Sequence, residues 1–347
     1  MATLTPTRDE AEDPEFNDLS YRLERDLVDA ATTLTGVEAR YMVAHYYDLQ
    51  DFRIRSKNQL RRLYDENAPH RTLSWFGSRT DQLEKQIIRP LKEWAEGQEA
   101  GRWALSIVGV GPVIAAGLLA HIDIERGGVK DPVTGERGRT PTVGHIWRFA
   151  GLDPTLKWEK GQKRPFNADL KVLCYKIGES FVKVQNNPRD IYGHVYAERK
   201  QQEIVKNYNG DFADQCAAAL ARMRVVDKSK DYFYWNSGCL TVENAKKLAE
   251  AGYPIGLAKR LAGEPGSGIP MLAPAHIHAR ARRYAVKLFL SSFFEVLYFS
   301  KYGELPPKPY ILTQPDHVHW FQAPDPDSIV RGLREAQEAA LTRHLAV

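Results

Sequence analysis

Apolar residues recur along most of the chain at three- and four-residue spacing, the mark of a helix with one buried face. From residue 19 to about 63 the recurring positions are Leu23, Leu27, Val28, Ala31, Leu34, Val37, Tyr41, Met42, His45 and Tyr46. A separate helix is predicted over 51–63, with Arg53, Arg55, Lys57, Arg61 and Arg62 along one side. A turn-rich stretch over 67–78 precedes a long helix over about 80–99, whose apolar stripe is Leu83, Ile87, Ile88, Leu91, Trp94 and Ala95. Pro90 interrupts that stripe and is expected to kink or split the helix, because proline lacks the N–H that the ladder needs.

Further along, a polar, Gly-rich connector spans 126–139, and a short helix over 142–150 stops at Gly151 with Pro154 beyond it. Two more helices are predicted over 167–183 and 188–208. Residues 209–274 read as an insertion in which helical runs (213–224 and 242–252) alternate with Gly/Pro clusters. A long helix over 275–301 follows, then a Pro-rich segment and a last helix from Asp327. The fold class is therefore mainly α. A polar tail (1–17) leads into a helical N-terminal region (18–103) and a hairpin-bearing domain (104–302), and 303–347 close the chain.

Composition narrows the function classes only a little. With 347 residues, 43% hydrophobic and 27% charged, the chain is an ordinary globular protein with room for two domains. Its 48 basic and 44 acidic residues leave +4, so nucleic-acid binding requires that the cations cluster locally. Cys174, Cys216 and Cys239 form no CxxC pair and suggest neither a zinc ribbon nor a disulfide framework. The acidic N-terminus has no apolar signal core, and no stretch reads as a membrane span, which leads to the expectation of a cytoplasmic, nucleoid-associated protein.

Residues 105–120, LSIVGVGPVIAAGLLA, carry the most specific pattern. A first helix is expected to end at Gly109, where glycine tolerates positive φ. Val110 is expected to plug the seam between two helices, Gly111 to let the backbone approach another surface, and Pro112 to open the second helix. The amides of Gly109, Gly111 and Val113 would then face outward at a helix N-terminus, where the dipole favours an anion such as a DNA phosphate. Such contacts position DNA without reading its sequence. The same residues would also serve a helix–turn–helix packing with no ligand.

From this hairpin outward the chain resembles the C-terminal domain of the IS110/IS116/IS902-type transposases. The resemblance starts in the helix over 81–103 and covers VGVGPVIAAGLLAHI (108–122) and HIWRFAGLDP (145–154). It continues through the basic strip and helix over 162–181, PRDIYGHVYAERK (188–200) and HARARRYAVKLFLSSFFEVLY (278–298), with 209–274 as the insertion. It implies a helix-hairpin-helix DNA-binding scaffold. Two family features are missing. The first 80 residues are too few and too helical for the RuvC-like domain, and the stretch after Gly-Leu-x-Pro, Thr155 to Gly161, has no serine to act as nucleophile. The resemblance thus implies DNA binding without strand transfer.

Three basic clusters are candidate DNA contacts. The strip Lys157, Lys160, Lys163, Arg164 and Lys171 is interleaved with Trp158, Phe166 and Asn167, combining cations for phosphate with aromatics for packing or stacking. Arg280, Arg282 and Arg283 open the last long helix, and Arg53, Arg55, Arg61 and Arg62 form the third cluster. The pairs His276/His278 and His317/His319 are poorly placed for a metal, so no cofactor is expected. Asp123, Glu125 and Asp153 would bind Mg²⁺ only if the chain were a nuclease. An active recombinase or nuclease and a protein-binding scaffold are the alternatives, and structured RNA or a second copy of the chain are further candidate partners. The apolar run over 286–299 suits a core helix or a dimer face equally.

Overall fold

The computed structural model describes residues 23–66, 70–124, 142–222, 272–307 and 321–345. The tail (1–17), the connector (126–139), the helix expected over 242–252 and Cys239 lie outside the described residues, as do most of the insertion and part of the Pro-rich segment. Within the described residues the chain is mainly helical, with eleven α-helices and no strand. None of these helices is long and apolar enough to cross a membrane. The chain forms two compact units. One comprises Met1–Ser106, Val110–Ile146 and Phe293–Val347, the other Ile107–Gly109 and Trp147–Ser292.

The first unit begins with α1 (Arg25–Ala30) and a 3-10 turn (Ala31–Thr33). Helix α2 (Gly36–Glu66) then runs unbroken for 31 residues, so the expected separate helix over 51–63 is part of it. Thr35 and Glu38 build the start of α2: the Glu38 carboxylate accepts from the Thr35 amide and hydroxyl, and the Glu38 amide donates back to Thr35 Oγ1. This is a reciprocal capping box. Hydrogen bonds from Thr35 hold the Glu38 carboxyl below its ordinary pKa.

Helix α3 (Arg71–Glu96) starts well before the expected position, inside the stretch that composition marks as turns. Its hydroxyl residues are accommodated because Ser78 Oγ donates to the Trp75 carbonyl and Thr80 Oγ1 to the Phe76 carbonyl. Such back-bonding lets Ser and Thr sit inside a helix instead of competing with it. Pro90 does not split α3. Leu91, Trp94 and Ala95 just beyond it are buried, and this packing offsets the missing backbone bond. The helix ends at Gly97, and α4 (Glu99–Ser106) follows after one residue.

Ala39 and Val43 of α2, Leu91 and Trp94 of α3, and Val113, Ala116 and Ala120 of α5 (Pro112–His121) form one core cluster. The alanines let the helix axes approach closely, since interaxial distance follows the side chains at the contact. Trp94 fixes the entry to α2 by donating its indole N–H to the Leu34 carbonyl at 2.7 Å. On α4, Trp103 is fully buried and donates to the Pro324 carbonyl at 2.6 Å. Its ring lies 6.3 Å from Phe293. Buried Glu295 accepts from Gln337 Nε2 (2.7 Å) and the Ala323 amide (3.3 Å), and burial raises its pKa. Gln337 lies on the closing helix, which begins at Leu333 and not at Asp327.

The second unit takes in the end of α6 (Val143–Phe149), then α7 (Ala168–Val184), α8 (Tyr192–Asn209), α9 (Ala213–Arg222) and the first part of α10 (Pro274–Tyr302). As expected, α6 stops at a glycine: Gly151 has φ +65°. Phe181, Tyr192 and Phe289 pack ring against ring at 5.1–5.3 Å. The buried Asn207 amide bonds both the Leu272 amide and its carbonyl at 2.9 Å, joining the chain on either side of the insertion. Val286, Phe289, Leu290, Phe293, Phe294 and Val296 are all buried, so the apolar run of α10 serves the chain's own core.

Leu91 is fully buried between α2, α3 and α5. Leu91→Ala is expected to destabilise the first unit by about 2–5 kcal/mol, measured by urea denaturation followed by far-UV circular dichroism.

Candidate nucleic-acid interface

The 105–120 segment forms two helices joined by a short turn. Helix α4 ends at Ser106, three residues earlier than the Gly109 stop expected from the sequence. Gly109 has φ +93°, a backbone that side chains rarely adopt. Its carbonyl accepts from Ser180 Oγ at 2.6 Å, and a Cβ there would lie 3.1–3.4 Å from Val184, Phe181 and Ser180. The fold itself therefore requires glycine at this position.

Gly111 is different in kind. It is the N-cap of α5, with φ −93° and ψ 174°, extended backbone open to any residue. A Cβ built there meets nothing within 4 Å. No side chain caps α5, and Pro112 occupies its first turn. Val110 and Val113 are buried, so of Val113 only the amide could face a ligand at this terminus. Every other residue that would line such a site is backbone, and what it can do chemically is hydrogen-bond an anion.

The three basic clusters separate clearly. Lys157, Lys160, Lys163, Arg164 and Lys171 are all exposed, and none forms an ion pair among the described residues. Arg164 lies over the Trp158 ring at 5.4 Å, and Lys171 over Phe166 at 4.1 Å. Asn167, expected among the DNA contacts, is occupied with the fold: it caps α7, its Oδ1 accepting from the Leu170 amide at 2.9 Å, and its own amide donates to Phe149.

On α10, Arg280 and Arg282 are already engaged. Arg280 donates to Glu203 at 2.6 Å and to Gln215 at 3.2 Å, and stacks on Phe212. Arg282 pairs with Glu179 and lies over Tyr175 at 4.1 Å. Arg283, next along the helix, is exposed. Glu203, almost fully buried, is the anchor of the group and also accepts from Arg199 at 2.5 Å. Burial alone would raise its carboxyl, but Arg280 and Arg199 outweigh burial and hold it below its ordinary pKa. The composition of the basic run hides this role; the only sequence signal is the i,i+4 pairing of Arg199 with Glu203 on α8. In the N-terminal cluster Arg53 is committed to Glu84 at 2.5 Å across α2 and α3, with Asp81 at 3.8 Å.

The remaining candidates do not assemble. Asp153 accepts from the amide and hydroxyl of Thr155, and these bonds hold its carboxyl below the ordinary range. Thr155, the only hydroxyl between residues 155 and 161, is thereby part of a local turn. Asp123 is exposed, and Glu125, His317 and His319 lie outside the described residues. His278 shares a 2.8 Å hydrogen bond with the Tyr196 hydroxyl, and burial lowers its pKa. No group of three metal-ligating side chains occurs among the described residues.

Compared with family models, curated proteins and solved structures, the chain matches none.

Two outcomes follow from the electrostatics. Arg280→Met leaves the buried Glu203 with Arg199 alone and is expected to destabilise the second unit by about 1.5–3 kcal/mol. Because the folded pKa of Glu203 is depressed, the loss is present above the unfolded carboxyl pKa and fades as pH falls through the folded value, which urea titrations across acidic pH will trace. Burial pushes the Cys174 thiol up to about 12 and raises that of Cys216. Both should resist a disulfide-exchange reagent at neutral pH in the folded protein and react once it is unfolded in urea.

Proposed function

We propose that the chain is a DNA-binding protein that holds the phosphate backbone at the hairpin over residues 105–120, as a relative of the IS110-type transposase C-terminal domain without strand-transfer activity of its own. The observation that carries this reading is Gly111. Its backbone is available to any residue, and a Cβ there meets nothing, so internal packing does not account for a glycine. Close approach by an external anion does, because the uncapped amides of α5 lie directly behind it. The five free cations between Lys157 and Lys171 support the same reading, since phosphate binding draws on unneutralised Lys and Arg. The chain would then act on mobile-element or phage-like DNA as a sequence-tolerant backbone binder. An enzyme reading finds less support: no serine follows the Gly-Leu-x-Pro block, and the described carboxylates form no metal cluster.

Duplex binding by the full chain, followed across a salt series, should fall steeply as salt rises. Gly111→Glu should weaken it at least about tenfold at fixed salt, the worth of one charge-assisted hydrogen bond of about 1.5–3 kcal/mol. Gly111→Ala, which the backbone accepts without strain, is the folding control. Unchanged duplex affinity in Gly111→Glu would remove the hairpin from the interface.

A further inference from the structure

The loop between α6 and α7 holds a second surface whose chemistry differs from that of a backbone clamp. Its base is rigid. The Asn167 amide bonds the Phe149 carbonyl at 2.8 Å, the Leu156 amide bonds Asp153, and Asp153 also ties down Thr155. Its tip is a tight turn in which the Gln162 amide donates to the Glu159 carbonyl, while the Trp158 indole N–H donates to the Gln162 carbonyl at 2.8 Å. That bond uses the only hydrogen-bonding group of the indole. What remains is a flat aromatic side chain held by its edge, on a residue that is 39% exposed.

An exposed tryptophan forgoes the stabilisation that burying its large apolar area would bring. The turn is closed by the backbone bond from Gln162 to Glu159, and the indole adds one edge bond to the Gln162 carbonyl that makes no use of its faces. The surroundings indicate what the ring is for. Between residues 157 and 171 there are five cations and two carboxylates, Glu159 and Asp169. Among the described residues none of the cations is neutralised by an ion pair, and Arg164 backs the indole itself. One turn along α7 from Lys171, Tyr175 repeats the arrangement: it is 55% exposed, with Arg282 over its ring.

Cations tracking a backbone beside exposed aromatic faces form the recognition surface of an unpaired strand. A duplex supplies the phosphates, but its base faces are hidden in its own stack. We infer that the Trp158 loop, with the exposed face of α7, is a binding site for single-stranded DNA, with a base stacked on Trp158 and Lys157, Lys160, Lys163 and Lys171 along the phosphates. This rests on the DNA-binding reading and gives it a substrate class: DNA with an unpaired segment, such as a flap, gap or branch.

The test uses the full chain and a labelled dT oligomer of about 20 nucleotides, long enough for the about 4–16 nucleotides such sites cover, beside a duplex of equal length. The parent is expected to bind the oligomer, and Trp158→Ala to weaken that binding about 5- to 150-fold, the value of one stacked base, with Trp158→Phe in between. Lys160→Gln and Lys163→Gln, which leave the turn's bonds in place, should each lower the salt slope for the oligomer by about 0.7. Duplex affinity should be unchanged by Trp158→Ala and lost in Gly111→Glu, so the two sites fail independently. Oligomer binding equal to the parent's in a folded Trp158→Ala protein overturns the inference, as does retention of the full salt slope in both lysine variants. An oligo(rU) bound more tightly than dT overturns the assignment to DNA.

Discussion

Helix α5 has no polar face, and the arrangement of the first unit follows from that constraint. Val113, Ala115, Ala116, Leu118, Ala120 and even His121 are buried, so the helix must be covered along its length. α2 and α3 supply cover through Ala39, Val43, Leu91 and Trp94. A helix enclosed in this way has only its ends to offer a ligand. At the N-terminal end stand an uncapped turn, a proline that donates nothing, and a glycine with open space beside it. Burial of the helix and exposure of its terminus are two consequences of one composition, and together they favour a backbone-mediated anion site over one built from side chains.

Charge pairing divides the rest of the basic surface. An arginine facing a buried carboxylate is part of the fold, because removing it strands an anion away from water. Arg53 with Glu84, and Arg280 and Arg199 with Glu203, belong to this class, while Arg282 is paired with the half-exposed Glu179. The cations of the α6–α7 loop are exposed and have no such partners among the described residues. Only cations free of internal partners can give up water and counterions to a phosphate without destabilising the protein. On this ground the loop, and not the arginine run on α10, is the stronger candidate for a phosphate contact.

Aromatic residues play two separate parts. Phe181, Tyr192 and Phe289 interlock inside the second unit, and Trp94 and Trp103 spend their indole N–H groups on buried carbonyls. Trp158 makes an equivalent bond, yet leaves its ring at the surface. The same side chain thus sits inside the core in one setting and half-exposed in another, and the difference lies in what covers it.

Helical periodicity was legible in the sequence because it is local: the class of the fold, the stop at Gly151 and the start of α5 at Pro112 can all be read from a few neighbouring residues. Local composition misled where distant packing prevailed. The stretch over 67–78 looks like turns, but from Arg71 on it is helix, with Ser78 and Thr80 bonding back to the preceding turn, and Pro90 lies inside a continuous helix because the residues after it are buried. The hairpin was visible as a pattern, and its two glycines look alike in sequence. Only the tertiary structure separated Gly109, held at positive φ against Phe181 and Val184, from Gly111, which touches nothing. The same holds for the arginines: a run of basic residues states how much charge a segment carries, while the carboxylate that neutralises it comes from another helix 77 residues away in the case of Arg280 and Glu203, a pairing that local sequence does not encode.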